Sequence, residues 1–120
     1  MKVNSLKQKG KRLETFVSTR INEVLGSYGI TAKRMPMSGS IPDWKSDIYT
    51  KLPISVECKN QETVKLWEWW KQCRGQSGDK IPILVINRNR ENAPMAVLNF
   101  EDILFFMELA IQAGWLKDHR

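Results

Sequence analysis

Residues 54–60 read Ile-Ser-Val-Glu-Cys-Lys-Asn, and their alternation predicts a β-strand. Ile54, Val56 and Cys58 fall on one face, and Ser55, Glu57 and Lys59 on the other. A carboxylate and an ammonium therefore share one face of a strand expected to lie in a core. Charges in such a place are unfavourable unless something compensates them. The strand is thus a candidate site as well as a structural element.

The flanking pattern predicts an α/β domain. Leu13, Phe16, Val17, Ile21, Val24, Leu25 and Tyr28 recur at helical spacing from Gly10 onward, and Gly26 and Gly29 mark the stop. Residues 31–37 read as a short strand, and 38–46, rich in Ser, Gly and Pro, as a loop. Residues 47–52 and 54–60, separated at Pro53, are expected to form an antiparallel hairpin. A helix follows over 62–75 with Gly75 near its end, then a flexible loop, Gly-Gln-Ser-Gly-Asp. The continuous apolar run Ile-Pro-Ile-Leu-Val-Ile-Asn, 81–87, predicts a fully buried strand. Another strand at 93–100 leads to a last helix that ends by Gly114, with Asn99 as its cap and Asp102 at the third position. The order is α-β-β-β-α-β-β-α: a mixed sheet of about five strands flanked by helices, in one domain over 1–120. Residues 1–10 read as a mobile basic arm.

Charge narrows the partners. The chain of 120 residues has a net charge of +6 and a pI near 9.5, with basic residues grouped at Lys7, Lys9, Lys11 and Arg12, at Lys33 and Arg34, and at Arg88 and Arg90. Such a balance favours a polyanion, because each neutralised phosphate releases counterions. No apolar run approaches a membrane span, and the N-terminus has no secretory pattern, so the expected location is the cytoplasm, or a host cytoplasm for a viral protein. Cys58 and Cys73 lie 15 apart without a CxxC pair, which argues for reduced core cysteines over a zinc site. His119 reads as a solvated tail residue, and residues 75–79 lack the Gly-Lys-Ser/Thr of a phosphate-binding loop.

In the expected hairpin, Asp47 lies across from the end of the partner strand, so Asp47 and Glu57 converge with Lys59 beside them. Two carboxylates that close repel, and burial makes this worse. A divalent cation resolves the conflict, and an all-oxygen donor set favours Mg²⁺, with Mn²⁺ as a substitute. Such a site polarises a phosphoryl oxygen and activates a water. Glu14, at the edge of the first helix's apolar stripe, either looks toward the sheet as a third ligand or lies exposed.

Asp47, nine residues, then Glu57-Cys58-Lys59 resembles the D…ExK pattern of the PD-(D/E)xK nuclease superfamily. Glu14, in Gly-Lys-Arg-Leu-Glu-Thr-Phe-Val, matches the family's upstream glutamate. Lys-Arg-Met-Pro-Met-Ser-Gly-Ser, 33–40, is similar to the R-x-P-x-S-G element of archaeal-type Holliday junction resolvases. The resemblance spans roughly 10–100 and implies a restriction-endonuclease-like fold. It implies metal-site roles for Glu14, Asp47 and Glu57, and catalytic roles for those three together with Lys59 and Ser38. Arg34 and Gln61 would contact DNA, and the basic residues Lys9, Lys11 and Arg12 are further DNA-binding candidates. Ser46 stands where the family often has proline, and Pro42-Asp43 offers Asp43 as an alternative ligand; Asp47 is preferred because Ile48 and Tyr49 continue as a strand.

The implied function is a Mg²⁺-dependent, structure-specific DNA endonuclease of the junction-resolving type, acting on branched DNA as a homodimer. Two alternatives remain open: a repair or replication nuclease acting on flaps, nicks or duplex, and a non-catalytic nucleic-acid-binding module. A dimerisation subunit of a larger complex, driven by the tryptophan helix and the C-terminal segment Ile-Leu-Phe-Phe-Met-Glu-Leu, 103–109, is a third class. Trp67, Trp69 and Trp70 span too wide an arc to face one way, so either two pack in the core with one on the surface, or one meets a partner subunit or a base.

Overall fold

The structure, a computed structural model, describes residues 2–35, 44–88, 91 and 93–118. Its elements follow the expected order, with a short helix added at the end: α1 (Lys2–Leu25), a 3-10 turn (Gly26–Tyr28), β1 (Ala32–Arg34), β2 (Ile48–Thr50), β3 (Ile54–Asn60), α2 (Leu66–Ser77), β4 (Ile81–Asn87), β5 (Met95–Val97), α3 (Phe100–Gln112) and α4 (Trp115–Asp118). The α/β class is as expected. The five strands, however, divide into two sheets: an antiparallel β1–β2 ribbon, and a mixed sheet of order β3-β4-β5.

The expected hairpin does not form as a ladder. β2 pairs with β1, Ala32 opposite Thr50 and Arg34 opposite Ile48. β3 pairs in parallel with β4 over its whole length, Ile54 opposite Ile81 through Asn60 opposite Asn87. The chain still reverses around Pro53, and the Asp47 N–H donates to the Val56 carbonyl at 2.9 Å. The physical reason is the length of the apolar partner. β4 offers seven residues for β3 to pair with, whereas β2 has three, which are engaged with β1.

β3 and β4 form a central layer with apolar residues on both faces. On one side Val56 and Cys58 pack with Leu13 and Val17 of α1, Ala32 and Ile48, and with the half-buried Ile83 and Val85. On the other, Leu84 and Ile86 pack with Trp69, Trp70 and Cys73 of α2. β4 is therefore half-buried on one face rather than buried on both as its composition suggested. Burying side chains such as Leu13, Leu84 and Ile48 stabilises the fold by roughly 1.5–3 kcal/mol each.

Several local expectations are corrected. α1 is helical from Lys2, so the basic segment expected as an arm belongs to the helix. Phe16, Val24 and Tyr28 are exposed despite their spacing, because the narrow layer beneath α1 accommodates only the Leu13–Val17 line. Gly75 lies near the end of α2 as expected, and the helix stops at Ser77 before Gly78, whose φ of 59° suits a residue without a Cβ. Asn99 precedes α3, but its side chain bonds the Asp102 carboxylate at 3.3 Å rather than capping a backbone N–H. Ser38, Asp43 and His119 lie outside the described residues.

Two asparagines tie α1 to the strands. Asn22 exchanges two hydrogen bonds with the Ala32 backbone, at 2.9 and 2.7 Å. Asn60 donates to the Lys9 carbonyl at 3.0 Å and accepts from Asn87 at 3.1 Å. Both ends of the face that carries Glu14 are thus clamped.

Candidate active site

β3 is an edge strand of its sheet, and Asp47 lies against its free edge. An open edge leaves backbone groups without partners. Here Asp47 supplies them twice: its N–H meets the Val56 carbonyl, and its Oδ2 accepts the Cys58 N–H at 2.8 Å. The aspartate is thereby fixed beside the segment that carries Glu57 and Lys59.

The three carboxylates approach this edge from different directions. Val56 and Cys58 face α1, so Glu57 projects to the opposite face of β3, where it is buried. Glu14 comes from α1 on the near side, half-buried, and pairs with Arg34 of β1 at 3.2 Å. Asp47, on the edge, acts electrostatically on both. Asp47 opposes the ionisation of both glutamates, and Glu14 opposes that of Glu57. Burial, then the charge of Asp47, pushes Glu57 up to about 7, with Lys59 opposing and Glu14 adding. Burial and Asp47 likewise push Glu14 up to about 7, against the pull of Arg34. Asp47 is raised by burial and held back by the Cys58 N–H and by Lys59.

Raised carboxylates, two of them pushed up by a third, fit a place where a cation belongs. Glu57 Oε1 is buried and has no hydrogen-bond partner, so it is an oxygen donor left over for a ligand. The donors are oxygens throughout, as Mg²⁺ or Mn²⁺ requires. Among the described residues, however, no three His, Cys, Asp or Glu side chains converge closely enough to grip one ion. The straddling of β3 explains this: Glu57 and Glu14 start from opposite faces, and Glu14 is held by Arg34. Asp47 and Glu57 are the candidate metal-holding pair, with Glu14 a further candidate that Arg34 engages.

The remaining candidates are distributed as follows. Lys59 follows Glu57 by two residues and is half-buried. Gln61 is half-buried, and its N–H bonds the Asn87 carbonyl at 3.2 Å. Lys11 and Arg12 are exposed on α1, and Lys9 is half-buried beside Asn60. Of the tryptophans, Trp69 and Trp70 are buried and Trp67 is exposed. Both cysteines are free and buried; burial pushes Cys73 up to about 11 and Cys58 higher still, so neither is a ready nucleophile. The Arg34–Glu14 pair was not legible in the sequence, since 20 residues separate its members and only the packing of α1 on β1 joins them.

The spacing of Asp47, Glu57 and Lys59, together with this geometry, agrees with a comparison against known families. Residues 5–110 match the model of a family described as "Phage putative PDDEXK endonuclease". The chain belongs to this family. Its place in the PD-(D/E)xK superfamily thus agrees with the motif, whereas the likeness to archaeal junction resolvases receives no such support. No curated protein and no solved structure matches the chain. Among the described residues no helix is long and apolar enough to cross a membrane.

Proposed function

We propose that this PDDEXK family member is a divalent-metal-dependent DNA endonuclease that hydrolyses phosphodiester bonds at the edge of β3. The observation that carries the reading is the buried Glu57 oxygen without a partner, on a strand whose Cys58 N–H holds Asp47, with the charges of Asp47 and Lys59 both acting on Glu57. Asp47 and Glu57 would hold Mg²⁺, or Mn²⁺ in its place, with Glu14 acting from the rim. When bound, the ion supplies Lewis-acid polarisation of the phosphoryl oxygen and a lowered pKa for attacking water. Lys59 orients that water and stabilises the negative charge that develops on the phosphoryl oxygens. Asp47, held on the Cys58 N–H, needs little reorganisation to take up its role. Ser38 and Gln61 complete the catalytic and DNA-contact set suggested by the family likeness.

The proposed target is branched DNA, foremost a four-way junction, cut by a homodimer. A junction has two symmetric scissile phosphates, which suits a twofold enzyme. α3 supports the dimer. None of its residues is buried, and nine large apolar side chains between Phe100 and Leu116 are exposed, Phe105 at 46% and Leu109 at 45% among them. A helix that exposes so broad an apolar surface belongs inside an assembly. Those side chains offer roughly 700 Å² of apolar surface, close to the ~800 Å² per partner of a stable interface.

The deciding experiment compares cleavage of a four-way junction, a flap and a linear duplex with Mg²⁺, Mn²⁺ or EDTA. Junction cleavage that requires the cation is expected. Preferential cutting of flap or duplex would replace the junction assignment, and no cation-dependent cleavage of any substrate would overturn the nuclease reading.

A further inference from the structure

The outer face of the β1–β2 ribbon carries a row of two cations and two rings. The Lys33 ammonium lies 5.4 Å from the centre of the Tyr49 ring. Tyr49 meets Trp44 with ring centres 4.7 Å apart and planes tilted by 52°. The Lys80 ammonium lies 3.9 Å from the centre of the Trp44 ring. The row is assembled by the fold. Lys33 and Tyr49 are direct cross-strand partners, Trp44 is fixed by donating its Nε1–H to the Ile48 carbonyl at 3.0 Å, and Lys80 arrives from the turn before β4.

The rings hold the lysines in place without neutralising them. Among the described residues, the ion pairs within 4.0 Å are Arg20–Glu23, Arg34–Glu14 and Arg88–Glu91, and none includes Lys33 or Lys80. Trp44 already has Lys80 over its ring and Tyr49 beside it, so its role is to orient the ammonium rather than to stack on a base. Exposed Lys45 and Lys51 flank Trp44 and Tyr49 in sequence and extend the positive character.

Position identifies what these cations meet. Tyr49 is two residues beyond Asp47, which is about 7 Å along an extended chain. A polyanion engaged at Asp47 would therefore pass the row within a nucleotide or two. We propose that Lys33 and Lys80, ordered by Tyr49 and Trp44, form a phosphate grip that holds the DNA backbone next to the cleaved bond, independently of base sequence. This rests on the nuclease reading above and adds a binding surface that the motif residues do not include.

The test is equilibrium binding of the full chain to a fluorescein-labelled duplex in EDTA, followed by anisotropy from about 50 to about 200 mM salt. Each lost phosphate contact lowers the slope of log K against log salt by about 0.9, so Lys33→Gln with Lys80→Gln should lower it by about 1.8. Lys33→Arg with Lys80→Arg should restore it, because the cation remains over the ring. Thermal melting confirms that the variants fold; should the double Gln variant not fold, Lys33→Gln alone, at an exposed position, should lower the slope by about 0.9. An unchanged slope in the Gln variant, beside a wild type that cleaves DNA with Mg²⁺, overturns the grip and leaves the nuclease reading intact. A wild type that neither binds nor cleaves DNA removes both.

Discussion

Asp47 occupies the free edge of β3 as a strand would, its N–H on the Val56 carbonyl and its carboxylate accepting the Cys58 N–H at 2.8 Å. The contact satisfies the backbone of the edge strand and, with the same side chain, brings a negative charge up to Glu57. Structure and chemistry are joined in that residue, so changes to Asp47 will affect both. Cleaner tests lie at its neighbours.

Lys59→Ala should reduce cleavage by about 100-fold or more while leaving DNA binding intact, because the role proposed for the lysine is on charge that develops only during reaction. Glu57→Ala should lose metal-dependent cleavage and bind DNA at least as tightly, since a carboxylate near phosphate is removed. Single-turnover cleavage measured beside anisotropy separates the two effects. Wild-type rates in Lys59→Ala would dismiss its catalytic assignment.

Stability in EDTA should fall as pH rises. Glu14 and Glu57 titrate near 7 in the fold against an ordinary value of 4.5. An acid with a raised folded pKa favours the fold fully below its unfolded pKa, and that contribution is lost as pH rises through the folded one. The two groups should therefore lower the melting temperature progressively from about pH 4.5 to beyond about pH 7. Glu57→Gln should flatten this trend, and Mg²⁺ should raise the alkaline melting temperature. A melting temperature that does not change over this range in wild type would contradict the clustering of the acids.

Arg34 holds the Glu14 carboxylate at 3.2 Å and opposes its elevation. Arg34→Gln should shift the Glu14 titration further above 7, as read by carboxyl-carbon NMR. Should the Glu14 titration stay in place, the ion pair is not maintained in solution.

Trp67 and Trp70 provide a contrast three residues apart. Trp70→Ala should lower unfolding free energy by about 3–5 kcal/mol, because it leaves a cavity against Leu84 and Ile86. Trp67→Ala, at 79% exposure, should change it by less than about 0.5 kcal/mol. Urea denaturation decides; comparable losses would show that Trp67 packs against something in solution.

Phe105→Asp in α3 should convert a dimer to a monomer in sedimentation without lowering the melting temperature of the monomer, since Phe105 is 46% exposed. A wild type that sediments as a monomer at high concentration would end the dimer proposal.

Much of this protein can be read from local sequence. Alternation gave β3 its limits, and the spacing of Asp47, Glu57 and Lys59 pointed to the superfamily that the family match bears out, because a motif of this kind sets residue types at fixed spacing on adjoining segments. What alternation could not reveal was strand partnership. β3 preferred the seven-residue apolar β4 to the nearby β2, and that preference is a comparison of distant segments. Local periodicity likewise could not tell that Phe16 and Val24 would outrun the layer beneath α1, or that α3 would find no core to cover.

The sequence by itself determined the charged strand, the order of elements and the identity of the acidic residues, since these depend on side-chain type and on periods of two and three to four. Only the tertiary structure decided which faces of β3 those acids approach, that Arg34 holds Glu14, and that Lys80 comes to rest over Trp44. Each of these is a long-range contact, fixed by how helices and strands bury their apolar surface rather than by any residue's immediate neighbours.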